Sequence, residues 1–180
     1  FGYEPHLVVG DIPAITSVPY FVPKAVFDTE VAGAPYPTVE EEVTHVLFPA
    51  VGLLQEGFTD PLPETLTLTG DEAQLVLDTA AAYNDAIDDL AATYGFTVAG
   101  VDQAFADLTE AEKTHFVFLV GQGMPVEQAA QTTVFSLDGI HPNNKGHSRV
   151  ANVFIEAINT ELGLTGEQAL VPVPDAAWDP

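Results

Sequence analysis

Two short apolar runs with one long capped helix between them constrain this chain more than any other feature. His6-Leu7-Val8-Val9-Gly10-Asp11-Ile12, closed by Gly and Pro, reads as a buried strand, and Phe96-Thr97-Val98-Ala99-Gly100-Val101 reads as its counterpart. Between them, Thr69-Gly70-Asp71-Glu72 fits a capping box. Val76, Ala80, Tyr83, Ile87, Leu90 and Tyr94 then recur at helical spacing and predict a core-facing stripe that ends at Gly95. Asp78, Asp85, Asp88 and Asp89 fall mainly off that stripe, where they face solvent. Two buried strands joined through a helix predict a parallel βαβ crossover, and with it an α/β fold.

The remaining segments hang on this unit. A polar or catalytic loop commonly follows the carboxyl end of a strand in an α/β sheet, and here that loop is Pro13-Ala14-Ile15-Thr16-Ser17-Val18-Pro19-Tyr20-Phe21. From Pro23 to about Asp60 the chain is Pro-rich and weakly periodic, so residues 24–60 are expected to form a lid or a surface insertion. Thr65-Leu66-Thr67-Leu68-Thr69 alternates and predicts a short edge strand. Gln103 to Val120 predicts a helix, with Thr109 and Glu112 as a second cap, and Gly121-Gln122-Gly123-Met124-Pro125 predicts a loop. Thr132-Thr133-Val134-Phe135 is read as a short strand. A closing helix from about Asn144 to Leu162 carries Val150, Phe154, Ala157, Ile158 and Leu162 on one face. Residues 164–180 form a Pro-rich tail whose Trp178 is expected to pack back on the body.

At 180 residues the chain suits one domain, and a 47% apolar fraction argues against disorder. No apolar run is long enough to span a bilayer. Asp and Glu total 27 against 4 Lys and Arg, a formal charge of −23. Such a surface repels phosphate backbones and anionic membranes, so nucleic acid is not an expected partner. The acids are dispersed along the chain, a pattern that favours solubility in high salt and points to a halophilic source, with an ordinary acidic secreted protein as the plain alternative. With no cysteine, disulfides, thiol catalysis and thiolate metal sites are excluded.

The one place where residue type and spacing suggest chemistry is Phe135-Ser136-Leu137-Asp138-Gly139-Ile140-His141-Pro142-Asn143-Asn144-Lys145-Gly146-His147. Asp138 stands three residues before His141, on a loop that enters a helix with Pro142 near its start. An acid so placed can hold an imidazole in one tautomer. The plain alternative is a turn-capping Asp138 beside a surface His141. Asp138, His141 and His147 as metal ligands are less favoured, because nothing fixes their outer partners. His6, His45 and His115 are scattered singly and suit packing or surface roles. Glu40-Glu41-Glu42 and Asp88-Asp89 lack the spacing of a calcium loop.

The block from Ser136 to His147, running into Val150-Ala151-Asn152-Val153-Phe154-Ile155-Glu156-Ala157-Ile158-Asn159, resembles the last motif block of the SGNH hydrolases, the GDSL-type esterases and lipases. That family's pattern is D-x-x-H-P, a residue pair, Gly, and a helix. Ile12 to Phe21 and Ala82-Tyr83-Asn84-Asp85-Ala86-Ile87 are similar to the family's acidic, secreted bacterial branch. The resemblance implies a three-layer α/β/α sandwich with a parallel, flavodoxin-like sheet, of which residues 1–180 are the carboxyl-terminal part. It also implies hydrolysis of small-molecule or lipid esters by a Ser-His-Asp triad without a cofactor, in a secreted or envelope setting. His141 would be general base and acid, and Asp138 its orienting carboxylate.

The departure is the nucleophile. The family's G-D-S block, its oxyanion Gly and its G-x-N-D block have no counterpart, and Gly10-Asp11-Ile12 has isoleucine where the serine would stand. Ser17, Ser136 and Ser148 are the chain's serines, and none sits in a nucleophile-elbow setting. The expectation is therefore a hydrolase portion whose serine lies on a segment before Phe1. The rival from another class is a non-catalytic domain that uses a truncated hydrolase scaffold for binding or structure.

Overall fold

Parallel pairing of β1 (Val8–Gly10) with a strand some ninety residues later is the framework of the structure, a computed structural model that describes residues 6–108 and 110–174. A short 3₁₀ turn, Ile15–Ser17, follows β1 and leads into β2 (Phe21–Pro23). Helix α1 (Lys24–Val26) runs on as a π-helical turn, Phe27–Val31. Then come β3 (Val43–Leu47), α2 (Pro49–Gln55) and β4 (Thr67–Thr69). The long α3 (Gly70–Tyr94) reaches β5 (Thr97–Ala99), which is followed by α4 (Val101–Ala106), α5 (Glu110–Gly121), α6 (Val126–Ala130) and α7 (Asn144–Glu161). The protein is a mixed α/β structure with one small parallel sheet and one antiparallel sheet.

The crossover forms as the sequence predicts. Val8, Val9 and Gly10 stand opposite Thr97, Val98 and Ala99. The cap of α3 is reciprocal: Glu72 N–H donates to Thr69 Oγ1 (3.3 Å) and Thr69 N–H donates to Glu72 Oε2 (2.9 Å). Gly95 closes the helix at φ 71°, where a side chain would be strained. The predicted stripe is only half right. Ala73, Val76, Ala80, Asn84 and Ile87 turn inward, whereas Tyr83, Leu90 and Tyr94 are exposed. Length explains the difference. A helix of 25 residues runs about 37 Å, and the three-residue strands it joins span about 10 Å. Two such strands cannot cover the whole helix.

The Pro-rich stretch from 24 to 60 is built into the larger core. β2, β3 and β4 form an antiparallel sheet in the order β2-β3-β4, with Val22 opposite Val46 and Val46 opposite Thr67. Val22, Phe27, Val46, Ala50, Val51 and Leu62 are buried with Phe116, Val117 and Val120 of α5 and Ala129 and Ala130 of α6. Phe48 lies against Phe116 at 5.0 Å between ring centroids. The predicted edge strand at 65–69 is present at the sheet margin, shortened to Thr67–Thr69 after a 3₁₀ turn, Glu64–Leu66.

Two other expectations are corrected. Residues 103–120 form two helices, because the chain breaks after Ala106 and restarts at Glu110; Thr109 lies outside the described residues. Residues 132–135 form no strand, and only Phe135 makes an isolated bridge, to Pro142. The tail is held to α7 by side chains that mimic backbone. Asn159 exchanges hydrogen bonds with Leu170 (3.0 and 2.8 Å) and Asn152 with Val173 (2.8 and 2.6 Å); Trp178 lies outside the described residues. Among the described residues no helix is long and apolar enough to cross a membrane.

Candidate active site

The loop between α6 and α7 closes on itself. Ser136 N–H donates to the His141 carbonyl (2.7 Å), and Asn143 N–H donates to the Val134 carbonyl (3.0 Å). Gly139 turns the tip at φ 69°, with its N–H on the Ser136 carbonyl (3.1 Å). Glycine is needed here twice over, since a Cβ would also crowd the Tyr20 nitrogen at 3.2 Å. Tyr20 N–H donates to the Gly139 carbonyl (2.9 Å), so the tip rests on the loop that follows β1. Beneath it Val18, Leu108, Val134 and Phe135 form a small buried cluster.

Asp138 and His141 meet as the spacing predicts. Asp138 Oδ2 lies 2.6 Å from His141 Nδ1, and a carboxylate, which only accepts, selects the tautomer with the proton on Nδ1. That leaves Nε2 as a base. The other carboxylate oxygen, Oδ1, accepts from Ser136 Oγ (2.7 Å), Ile140 N–H (2.9 Å) and His141 N–H (3.0 Å). Desolvation pushes the Asp138 carboxyl up, but bonds from the His141 ring, the Ile140 and His141 amides and the Ser136 hydroxyl outweigh it. The group is held far below the ordinary carboxylate range. The pair is exposed, with side-chain accessibility of 76% for His141 and 47% for Asp138. At that exposure solvent screens their attraction, so the contact orients the ring more than it stabilises the fold.

A buried asparagine holds the loop to its helix. Asn143 caps α7 by accepting from Gly146 N–H (3.0 Å), and its Nδ2 donates to the carbonyls of Ala130 (3.2 Å), Thr133 (2.9 Å) and Phe135 (3.1 Å). Gly146 is packed so closely that a Cβ there would fall inside contact distance of the Val134 carbonyl oxygen and 2.8 Å from Pro142 Cβ. The glycine at 146 therefore has a physical cause. It lets the first turn of the helix sit directly against the strand-like arm that carries Asp138.

The three stretches that carry the family resemblance come together. Asn84 of α3 clamps the loop after β1, accepting from Ile12 N–H (2.8 Å) and donating to the Ile12 carbonyl (2.9 Å). Asp102 Oδ1 accepts from Ala14 N–H (2.9 Å), and Asp11 Oδ1 accepts from Asp102 N–H (2.7 Å). That loop then meets Gly139 through Tyr20. Neither Asn84 nor Asn143 was singled out from sequence as a site residue. Asn84 is signalled only as a polar residue at stripe spacing from Ala80 and Ile87, and Asn143 as a good cap directly before a periodic segment.

The serines stand elsewhere. Ser136 is committed to Asp138, the Ser17 hydroxyl is buried without a partner, and Ser148 is buried in α7 with its hydroxyl on the Asn144 carbonyl (3.0 Å). The other histidines are dispersed: His6 lies 3.6 Å from Glu161, His45 beside Thr44 Oγ1 (3.0 Å), His115 stacked on Phe118, and His147 exposed on the first turn of α7. Among the described residues, no three His, Asp and Glu side chains converge as metal ligands. Compared with family models, curated proteins and solved structures, the chain matches none.

Proposed function

We propose that this chain carries the proton-transfer half of a serine hydrolase acting on carboxylic esters. The observation that carries the reading is the 2.6 Å contact between Asp138 and His141 Nδ1 on a loop that closes on itself, with Nε2 left as a base. In the proposed cycle a serine hydroxyl supplied by a segment before Phe1 attacks the ester carbonyl, and His141 Nε2 takes its proton. The imidazolium is stabilised by Asp138 and returns that proton to the leaving alcohol. Water then repeats the sequence on the acyl-enzyme and releases the acid. The proposed complete domain is a three-layer α/β/α sandwich with a flavodoxin-like parallel sheet. The contacts of α7 with both β1 and β5, and of α3 with β5, support that architecture.

The test is turnover of p-nitrophenyl esters by this chain extended at its amino end with the residues encoded upstream. The extended protein should be active, and His141→Ala should cut kcat by about 10⁴-fold or more without unfolding it. The 180-residue chain alone should be inactive. Robust turnover by it, abolished by Ser17→Ala, would refute the external serine. A second reading, a non-catalytic binding or structural domain, is favoured by one observation: Ser136 is bonded to the carboxylate and not to the ring. An extended protein that hydrolyses no ester would decide for it.

A further inference from the structure

A pocket on this acidic chain has a lysine in its wall and no acid among its described lining residues. It encloses about 130 Å³ between the loop after β1 and helix α5, and Thr16, Ser17, Val18, Phe21, Lys113 and Val117 line it. No Asp or Glu is among its described lining residues, although the chain carries 27 of them. Lys113 is one of 4 basic residues in the protein. Its ammonium donates to the Ala106 carbonyl at 3.4 Å, and among the described residues no carboxylate pairs with it. An ammonium offers three donors, so most of its capacity is unspent. Ser17 adds a second irregularity, a buried hydroxyl oxygen without a hydrogen-bond partner.

The remaining wall is apolar, from Val18, Phe21, Val22 and Val117. Polar groups to fix one end of a ligand and hydrocarbon to receive the other are the general composition of small-molecule sites. A dry cavity of about 150 Å³ holds a six-carbon ring, so this pocket has room for a tail of about three to five carbons. We infer that the pocket between Ser17 and Lys113 binds a short-chain aliphatic carboxylate. Its carboxylate rests on the Lys113 ammonium, and its tail lies against Phe21 and Val117. A phosphate-sized dianion is disfavoured, because the apolar wall would meet its remaining oxygens without donors. The inference uses neither Asp138 nor His141 and does not rest on the ester-hydrolase reading.

The experiment is titration of the isotope-labelled 180-residue chain with sodium butanoate, followed by amide-correlation NMR. It is run in roughly 0.5 M sodium chloride, where the field of the net charge is screened within a few Å. Saturable shifts are expected at Ser17, Val18, Val22 and Val117. Butanamide, of the same shape without the charge, should bind about tenfold more weakly, and Lys113→Met should weaken butanoate by a similar factor. Lys113→Arg should keep most of the affinity, which separates loss of charge from loss of fold. The inference is overturned by the absence of saturable shifts at these amides, by butanamide binding as well as butanoate, or by unchanged affinity in Lys113→Met.

Discussion

Asn143 combines two roles that substitution can separate. As a cap it accepts one hydrogen bond from Gly146, and as a donor it holds the carbonyls of Ala130, Thr133 and Phe135, all from a position that is 6% exposed. In Asn143→Ala the lost cap costs about 1 kcal/mol, and leaving buried carbonyls unsatisfied costs about 2 kcal/mol more. A loss of about 3 kcal/mol in a chain of 180 residues lowers Tm by about 6–12 °C. Asn143→Asp gives the sharper comparison. It keeps the cap acceptor and places a negative charge at a helix N-terminus, which by itself is worth about 0.3–1 kcal/mol of stabilisation. It also removes both donors and turns a carboxylate toward three carbonyl oxygens. If the donor role dominates, Asn143→Asp melts at or below Asn143→Ala. Circular-dichroism melts of both variants and the parent, at one fixed salt concentration, decide the ranking. An Asn143→Asp variant as stable as the parent would refute the account of the loop as hung from that amide.

Further outcomes follow from other residues. Gly146→Ala should destabilise by about 3 kcal/mol or more, because the added methyl meets backbone that cannot rotate away; a melt within 2 °C of the parent, a shift of about 0.5 kcal/mol, would contradict the close approach. Ser17→Ala should raise stability by about 1 kcal/mol, since it deletes an unsatisfied buried hydroxyl, and a lower Tm would mean that the hydroxyl is satisfied. His45 is held below its ordinary pKa by burial, so the unfolded chain takes up a proton near pH 6.5 that the folded chain refuses. Stability should therefore fall as pH drops from 6.5 through the folded value, and His45→Gln should flatten that fall in melts between pH 7 and 5.5. Tm should rise from low to molar sodium chloride, because 27 acids are offset by 4 Lys and Arg and the net charge of −23 repels itself; a flat response would count against salt adaptation.

What was legible in the sequence was local. The cap at Thr69, the stop at Gly95 and the Asp138–His141 spacing each act over a few residues, and each forms as expected. What was not legible depends on which partner covers a face. The alternation of Tyr83, Leu90 and Tyr94 with Val76 and Ile87 fixes a helix face, but not how much neighbouring sheet lies over it. The stretch from 24 to 60 shows little periodicity because its apolar residues are divided between one strand, a π-helical turn and two short helices. Its core is completed by Phe116, Val117, Val120, Ala129 and Ala130, far away in sequence. Residues 132–135 are apolar enough for a strand, yet Asn143 takes two of their carbonyls and leaves no ladder to extend.

The same locality bears on how the site would respond to pH. Four donors converge on Asp138 from within three residues on either side, so its ionised form is favoured by groups of the loop itself, against the desolvation that raises it. Held below the ordinary carboxylate range, Asp138 stays charged wherever ester hydrolysis is assayed, and the stability it contributes is present above an unfolded value of about 3.9 and lost only as pH falls through the folded one. The acid limb of an activity profile should then not come from Asp138. Asp138→Asn tests this, because it keeps the shape and turns an acceptor into a donor facing Nδ1. In the extended protein the substitution should cut kcat by about 10⁴-fold. Ser136→Ala removes one donor of four and leaves the ring contact, so its effect on kcat should be at least a hundredfold smaller than that of Asp138→Asn. Equal losses from the two substitutions would mean that Asp138 serves the loop and not the ring.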